Sequence, residues 1–403
     1  MDGSGDLRAL AARTRPLRVA VVTETYPPEI NGVAMTLGHL VRGLMCRGHT
    51  IELVRPRQRD AEVPAQRPRL EEVLVRGMAI PRYDALKLGL PARSLLLRHW
   101  QSTPPDIVHL VTEGPLGWSA VSAARALGLP VSSDFHTNFH SYTSHYGIGW
   151  LRRPVTSYLR RLHNKCLCTI VPTPDLRDDL GALGFRNLLI VARGVDTELF
   201  NPGRRDPILR QSWRASASDP VALFVSRIAP EKNMDLVLET YEAMRHANPR
   251  VKLVVVGDGP ERLRLQQRYP DAIFAGTRHG SDLAAHYASS DIFLFPSLTE
   301  TYGNVTVEAL ASGLAVVAFD YAAARQHIRH GENGVTVPAG DREGFVRAAI
   351  ALMSDSGRRV RLGDAARASM VRVDWQHIVG EFESALTDLV ARHEGDDFAH
   401  ACA

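Results

Sequence analysis

Short apolar runs, each closed by glycine, proline or a helix-starting polar residue and followed by an amphipathic stretch, recur in two series along this 403-residue chain. The first series opens with "LRVAVVTETYPPEINGVAMTLGHLVRGLMCRGHTIELV", a strand, a loop, a helix ending near Gly48 and a second strand. It continues through "DIVHLV", "GLPVSSDFHTNF" and "CTIVPTPDLRDDL". The second series reads "VALFVSRI", "KLVVVGDG", "AIFAG", "DIFLFPS" and "LAVVAFD", alternating with helical text such as "NMDLVLETYEAMRHA". Runs without polar alternation belong to parallel strands covered by helices on both faces. The length exceeds what one core usually supports, so two doubly wound α/β domains in tandem are expected.

The expected divisions are a flexible N-terminus at 1–16, an N-terminal Rossmann-like domain at 17–195, a linker at 196–215 and a second Rossmann-like domain at 216–374. The linker carries the polar "GVDTELFNPGRRDP"; a helix at 375–392 suits either domain and could return to the first, and 393–403 reads as a disordered tail. Sheets of this kind bind ligands beyond the carboxyl ends of their strands, which puts the site in the cleft between the two.

Charge is uneven. Through Asp196 there are 25 Lys and Arg against 17 Asp and Glu, a surplus of +8, and the remainder of the chain carries −4. No zinc-finger spacing, long basic run or RNA-binding aromatic signature accompanies the surplus, so acidic lipid or a phosphorylated substrate fits better than nucleic acid. The four cysteines, Cys46, Cys166, Cys168 and Cys402, form no C-x-x-C, and no secretory leader precedes them; a reducing cytoplasmic compartment without disulfides is expected. No apolar run approaches the length that spans a bilayer, which leaves peripheral contact. The segment "GWLRRPVTSYLRRLHNKC", with Arg152, Arg153, Arg160, Arg161 and Lys165 beside Trp150, Leu151, Tyr158 and Leu162, has the pattern of an interfacial helix, although a solvated helix would read the same way.

In "PSLTETYGNVTVEALASG" a buried strand gives way to a loop and then a helix, with Glu300 before the helix and Glu308 in its second turn. The first amides, at Gly303, Asn304 and Val305, would form an anion site strengthened by the helix dipole. Carboxylates repel phosphate but accept hydrogen bonds from sugar hydroxyls. In isolation the two could equally be a loop charge and a solvated helix residue. "VSRIAPEKN" brings Arg227 to a strand end with Lys232 close behind and Asn233 as candidate N-cap; two such cations can neutralise a diphosphate leaving group. No Asp-x-Asp metal motif is present.

Gly32 opens the first helix, where backbone can approach a ligand, but the surrounding text is not G-x-G-x-x-G and argues against a dinucleotide site. Asp258 in "VVVGDGPER" reads as a turn residue. His136, His140 and His145 cluster after Asp134 without a spacing that specifies metal geometry. His136, directly after the strand, is best placed to enter the cleft; His140 and His145 read as structural or acceptor-side.

In this order the motifs resemble the retaining glycosyltransferases of the GT-B fold, family 4, over nearly the whole chain. The resemblance matches Glu300 and Glu308 to the family's E-x7-E motif, the first holding donor-sugar hydroxyls and the second the ribose. It implies that Arg227 and Lys232 bind the diphosphate and that Tyr302, Gly303, Asn304 and Val305 surround the donor. Gly32 matches the glycine of the N-terminal loop, with Asn31 where a second glycine is common, and His136 matches a histidine near the sugar O6 and the reaction centre. By resemblance, His136, Arg227, Lys232 and Glu300 are the catalytic set.

"FHTNF", "ETYGNVTVEALASGLAVVAFDYAAA" and "NGVTVP" look like the family's bacterial GDP-mannose-dependent α-mannosyltransferases. These imply GDP-mannose as donor, no metal or other cofactor, a lipid-linked or saccharide acceptor, and a cytoplasmic enzyme, peripheral on the inner face of the plasma membrane. UDP-sugar-dependent glucosyl- and sulfoquinovosyl-diacylglycerol synthases are similar and stand as the alternative; a nucleotide-sugar-binding scaffold without turnover is the non-enzyme alternative. Retention would then proceed by front-face attack, a donor phosphate oxygen accepting the acceptor's proton, so the two glutamates need not be a glycosidase pair.

Overall fold

The computed structural model describes residues 15–29, 31–59, 61–80, 83–136 and 152–401. His140, His145, Trp150, Leu151 and Cys402 lie outside them, as do residues 1–14 of the expected flexible N-terminus.

Two parallel sheets organise the chain. The first has eight strands in the order Leu188–Ile190, Cys168–Val171, Val131–Asp134, Ile107–Leu110, Arg18–Val22, Thr50–Pro56, Leu70–Val75 and Gln66–Arg67. Only the last pairing is antiparallel. The second has six strands, all parallel: Ile273–Gly276, Lys252–Val256, Val221–Val225, Ile292–Phe295, Ala315–Phe319 and Val335–Val337. Val221–Val225 and Ile292–Phe295 are buried along their whole length, as strands covered on both faces must be. Strand order reverses direction at Arg18–Val22 in the first sheet and at Val221–Val225 in the second, the switch points where doubly wound sheets open a crevice.

The chain crosses between the domains twice, and the crossings lie side by side. Val195 N donates to Val373 O at 2.8 Å, and Val195 bridges Asp374 in parallel. A Cβ at Gly194 would stand 2.7 Å from the Trp375 ring and 2.9 Å from its Cα, so only glycine lets the two crossings touch.

After the second crossing the helix Trp375–Ala401 lies along the first domain, where Ile378, Val379, Phe382, Leu386 and Val390 join the core with Leu37, Leu40 and Leu44. Its start stacks on His39, ring centroids 4.5 Å apart.

Two expectations need correction. The tail expected from 393 is helical through Ala401, because His393 Nε2 hydrogen-bonds Gly128 O at 2.6 Å and Glu394 accepts from Arg15 at 2.7 Å. Arg15 also pairs with Asp106, so the last two residues of the expected flexible N-terminus are held as well. The stretch read as a linker at 196–215 packs as part of the second domain: its polar text conceals Phe200 and Trp213, both buried in that core. It also forms the helix Pro207–Ser212, capped by Asp206. No helix among the described residues is long and apolar enough to cross a membrane.

Candidate active site

The carboxyl ends of both sheets face each other. From the second domain, the helix Asn304–Ala311 presents its N-terminus to the cleft. Gly303 occupies the N-cap with φ +97°, in the left-handed region, and no side chain caps the helix; the first amides are therefore left to a ligand. From the first domain, the helix Gly32–Cys46 starts opposite: a Cβ on Gly32 would lie 4.0 Å from Asn304 Nδ2. Two helix N-termini thus converge on one space, an arrangement that favours an anion from both sides. Asn31 has a structural task in place of a second glycine: its Oδ1 accepts from Ala34 N at 2.8 Å and its Nδ2 donates to Thr25 Oγ1 at 2.7 Å.

Lys232 and Glu300 meet directly. Lys232 Nζ lies 2.5 Å from Glu300 Oε1 and 3.3 Å from Thr299 O, and both side chains are 15% exposed. Arg227, nearer solvent, pairs with Glu231. Asn233 adopts a left-handed backbone and makes no cap bond with its side chain; its Nδ2 donates instead to Pro296 O at 3.2 Å. That bond and Leu298 N to Glu231 O at 3.1 Å fasten the Arg227–Lys232 turn to the strand that delivers Glu300. The loop beneath is backed by Gly257 and Gly259, where a Cβ would meet Ser226 O at 1.9 Å and Ile228 O at 2.2 Å. Asp258 is a turn residue, its carboxylate accepting from Gly259 N and Arg262 Nη1.

Glu308 lies deeper. Tyr287 Oη donates to its Oε2 at 2.8 Å. Burial pushes its carboxyl up to about 7, with the tyrosine hydroxyl pulling the other way. Glu300 and Glu308 therefore differ in kind: one carboxylate is paired with an ammonium, while the other is pushed toward its neutral form by burial against the pull of a tyrosine hydroxyl. Val305 lies half-buried against the second core. Tyr302, expected around the donor, is 1% exposed, and its hydroxyl donates to Arg193 O at 2.8 Å and stands 2.9 Å from His327 Nε2. Its side chain supports the loop from beneath.

On the opposite rim His136 is enclosed. Its Nε2 lies 3.0 Å from Asp134 Oδ2, its Nδ1 3.0 Å from Arg193 Nη2, and its main-chain oxygen accepts from Thr301 Oγ1 at 3.1 Å. Asp134 is buried, which would raise its carboxyl, yet His109 and His136 facing it hold it well below the usual carboxylate range. Sequence reasoning missed Arg193. Its signal was available in "LLIVARGVD", a cation directly after a short apolar run, the same signature that singled out Arg227 in "VALFVSRI".

Comparison with known proteins follows this geometry. The family model "Glycosyltransferase Family 4" matches residues 30–199 and "Glycosyl transferases group 1" matches residues 219–355. A GDP-mannose-dependent alpha-mannosyltransferase of Mycobacterium tuberculosis is 34% identical over 91% of this chain and 97% of its own. One of Corynebacterium glutamicum is 32% identical over 94% and 90%. The sulfoquinovosyl transferase SQD2 of Arabidopsis thaliana is 29% identical over 90% of this chain and 72% of its own. Among solved structures, sucrose-phosphate synthase from Thermosynechococcus elongatus superposes with a TM-score of 0.75 at 16% identity, covering 93% of this chain and 100% of that one.

Proposed function

This chain belongs to glycosyltransferase family 4, and we propose that within it the enzyme transfers mannose from GDP-mannose, with retention, to a hydroxyl of a lipid-linked or saccharide acceptor. That it is a hexosyltransferase follows from the family and from relatives at 32–34% identity. The observation that carries the mechanism is the convergence of Lys232, Arg227 and the uncapped start of the helix Asn304–Ala311. These donors would surround the departing diphosphate and stabilise the charge that develops on it, which is commonly the largest single catalytic contribution. In this reading they supply the positive charge without a metal ion. Glu300 and Glu308 are then acceptors for hydroxyls of the sugar and of the ribose, and a phosphate oxygen takes the acceptor's proton.

The same reading includes peripheral docking on anionic lipid through the helix Arg152–His163, whose Arg153, Tyr158, Arg160 and Arg161 are exposed. Co-sedimentation with anionic vesicles at low salt tests it; absence of binding removes that element alone. A reducing compartment suits the thiols of Cys46, Cys166 and Cys168, none of which is in a disulfide.

Donor choice is tested by thermal shift against GDP-mannose, UDP-glucose and UDP-galactose, followed by product analysis. A ligand at 100 times its dissociation constant adds about 2.7 kcal/mol, enough to rank the three. Stabilisation by GDP-mannose above the others is expected. A larger shift with a UDP-sugar would transfer the reading to the activity of the glucosyl and sulfoquinovosyl relatives.

A further inference from the structure

Arg193 stands where the chain leaves the first domain, between the strand Leu188–Ile190 and the crossing at Val195, and is 7% exposed. Burial lowers its pKa, while Asp134, Tyr302 and Glu300 act in the opposite direction; a guanidinium so placed keeps its charge. It faces both rims. Its Nη2 is 3.0 Å from His136 Nδ1, and its main-chain oxygen accepts the Tyr302 hydroxyl at 2.8 Å. The guanidinium also lies over the Tyr302 ring, 5.9 Å from its centroid.

The chemistry of these neighbours leaves one arrangement. A guanidinium only donates, so His136 Nδ1 must offer its lone pair. An ionised Asp134 only accepts, so the hydrogen of the ring sits on Nε2. His109 Nε2 stands 3.3 Å from Asp134 Oδ2, and its Nδ1 lies 2.9 Å from Ser132 Oγ. The imidazole is therefore gripped through both nitrogens, and Thr301 grips its carbonyl.

We propose that Arg193 is a positioning residue of the transfer site: its side chain holds the bare nitrogen of His136, opposite the one that faces Asp134, and so fixes how the ring faces, while its main-chain oxygen anchors Tyr302 beneath the Glu300 loop. One residue thereby registers the two rims of the cleft against each other. This rests on the reading that His136 and the Glu300 loop border the transferred sugar. Lysine would not replace it, because a single ammonium cannot reproduce a planar fork aimed at one ring nitrogen.

The test is made on the full-length protein with 15N-labelled histidine, assigning the His136 signals against His136→Gln. The wild type is expected to show hydrogen on Nε2 and a bare Nδ1. In Arg193→Met the bare Nδ1 loses its donor, so its 15N signal moves toward that of an unbonded ring nitrogen while Nε2 keeps its hydrogen, and turnover falls roughly 100-fold, the scale of a misplacement of about 1 Å, while the affinity for the nucleoside diphosphate alone stays within about threefold. Arg193→Lys, which keeps the charge but not the planar fork, should share the change in the Nδ1 signal and most of the fall in turnover, and decides the matter should the methionine variant not fold. Hydrogen on Nδ1 in the wild type overturns the proposal. So does turnover within about twofold of wild type in either variant, or a fall matched by equal loss of nucleotide affinity, which would mark a merely structural residue. The tautomer is read without any sugar donor, so an error over which sugar is transferred leaves it untouched.

Discussion

The two rims of the cleft carry comparable numbers of charged groups and use them differently. On the first-domain rim, Asp134 Oδ2 stands between the Nε2 atoms of His109 and His136, and Arg193 holds the other nitrogen of His136. On the second-domain rim, Lys232 and Arg227 pair with Glu300 and Glu231, and the helix Asn304–Ala311 has no side-chain cap. One rim is built to stay in place and the other to receive. In a reaction where the leaving group gains charge, donors must be free to turn toward it, while groups that shape the sugar pocket gain from being immobile.

The largest effect that could break this contrast is at Lys232. Lys232→Ala removes the ammonium beside Glu300 and is expected to lower kcat roughly 100-fold or more, as loss of one such donor does. Steady-state kinetics with donor hydrolysis as a second readout would decide; a change of only a few-fold would make the second rim as passive as the first.

Tyr302→Phe sharpens the contrast from beneath. It leaves the buried Arg193 carbonyl without its donor and His327 without a partner, so a stability loss of about 1–3 kcal/mol is expected in denaturant titration. Unchanged stability would show that the strut carries no load.

Glu308 offers a pH-dependent test. Its carboxyl has a folded pKa near 7, above its ordinary value of 4.5, so the folded state binds more protons than the unfolded one, and stability falls as pH rises through that window. Tm of Glu308→Gln relative to wild type should therefore rise between pH 5 and pH 8. Glu24, also pushed up to about 7 by burial, is present in both proteins and cancels from the difference. A difference that does not vary with pH would mean that Glu308 is not desolvated.

The smallest effect belongs to the clasp between domains. Asp175 accepts from Arg325 at 2.9 Å and from Ala322 N at 3.3 Å. An exposed pair of this kind contributes about 0.2–1 kcal/mol, so Asp175→Asn should barely move Tm, and a large shift would show that this clasp, and not Arg193, registers the rims.

The same contrast explains what could be read in advance. Arg227, Lys232 and Glu300 stood out because each follows a buried strand within a few residues, and fully buried strands announce themselves as apolar runs; Glu308 stood out through the helix that follows Glu300. The first rim was only half legible. Asp134 and His136 stand together in the text, but the arginine that completes them is 57 residues further on, and only the fold makes them neighbours. The partner of Tyr302 was hidden for a related reason: its buried hydroxyl meets a carbonyl 109 residues away. Phe200 and Trp213 were hidden by the polar residues around them, and the last turns of the C-terminal helix gave no local sign of the contacts that hold them.

The central claim is that fixed protein cations and a helix N-terminus, with no metal, receive the departing diphosphate. The most direct measurement is turnover of GDP-mannose by enzyme exhaustively treated with EDTA. The account predicts an undiminished rate and an α-configured product. Loss of activity on chelation, restored by a divalent cation, would contradict it.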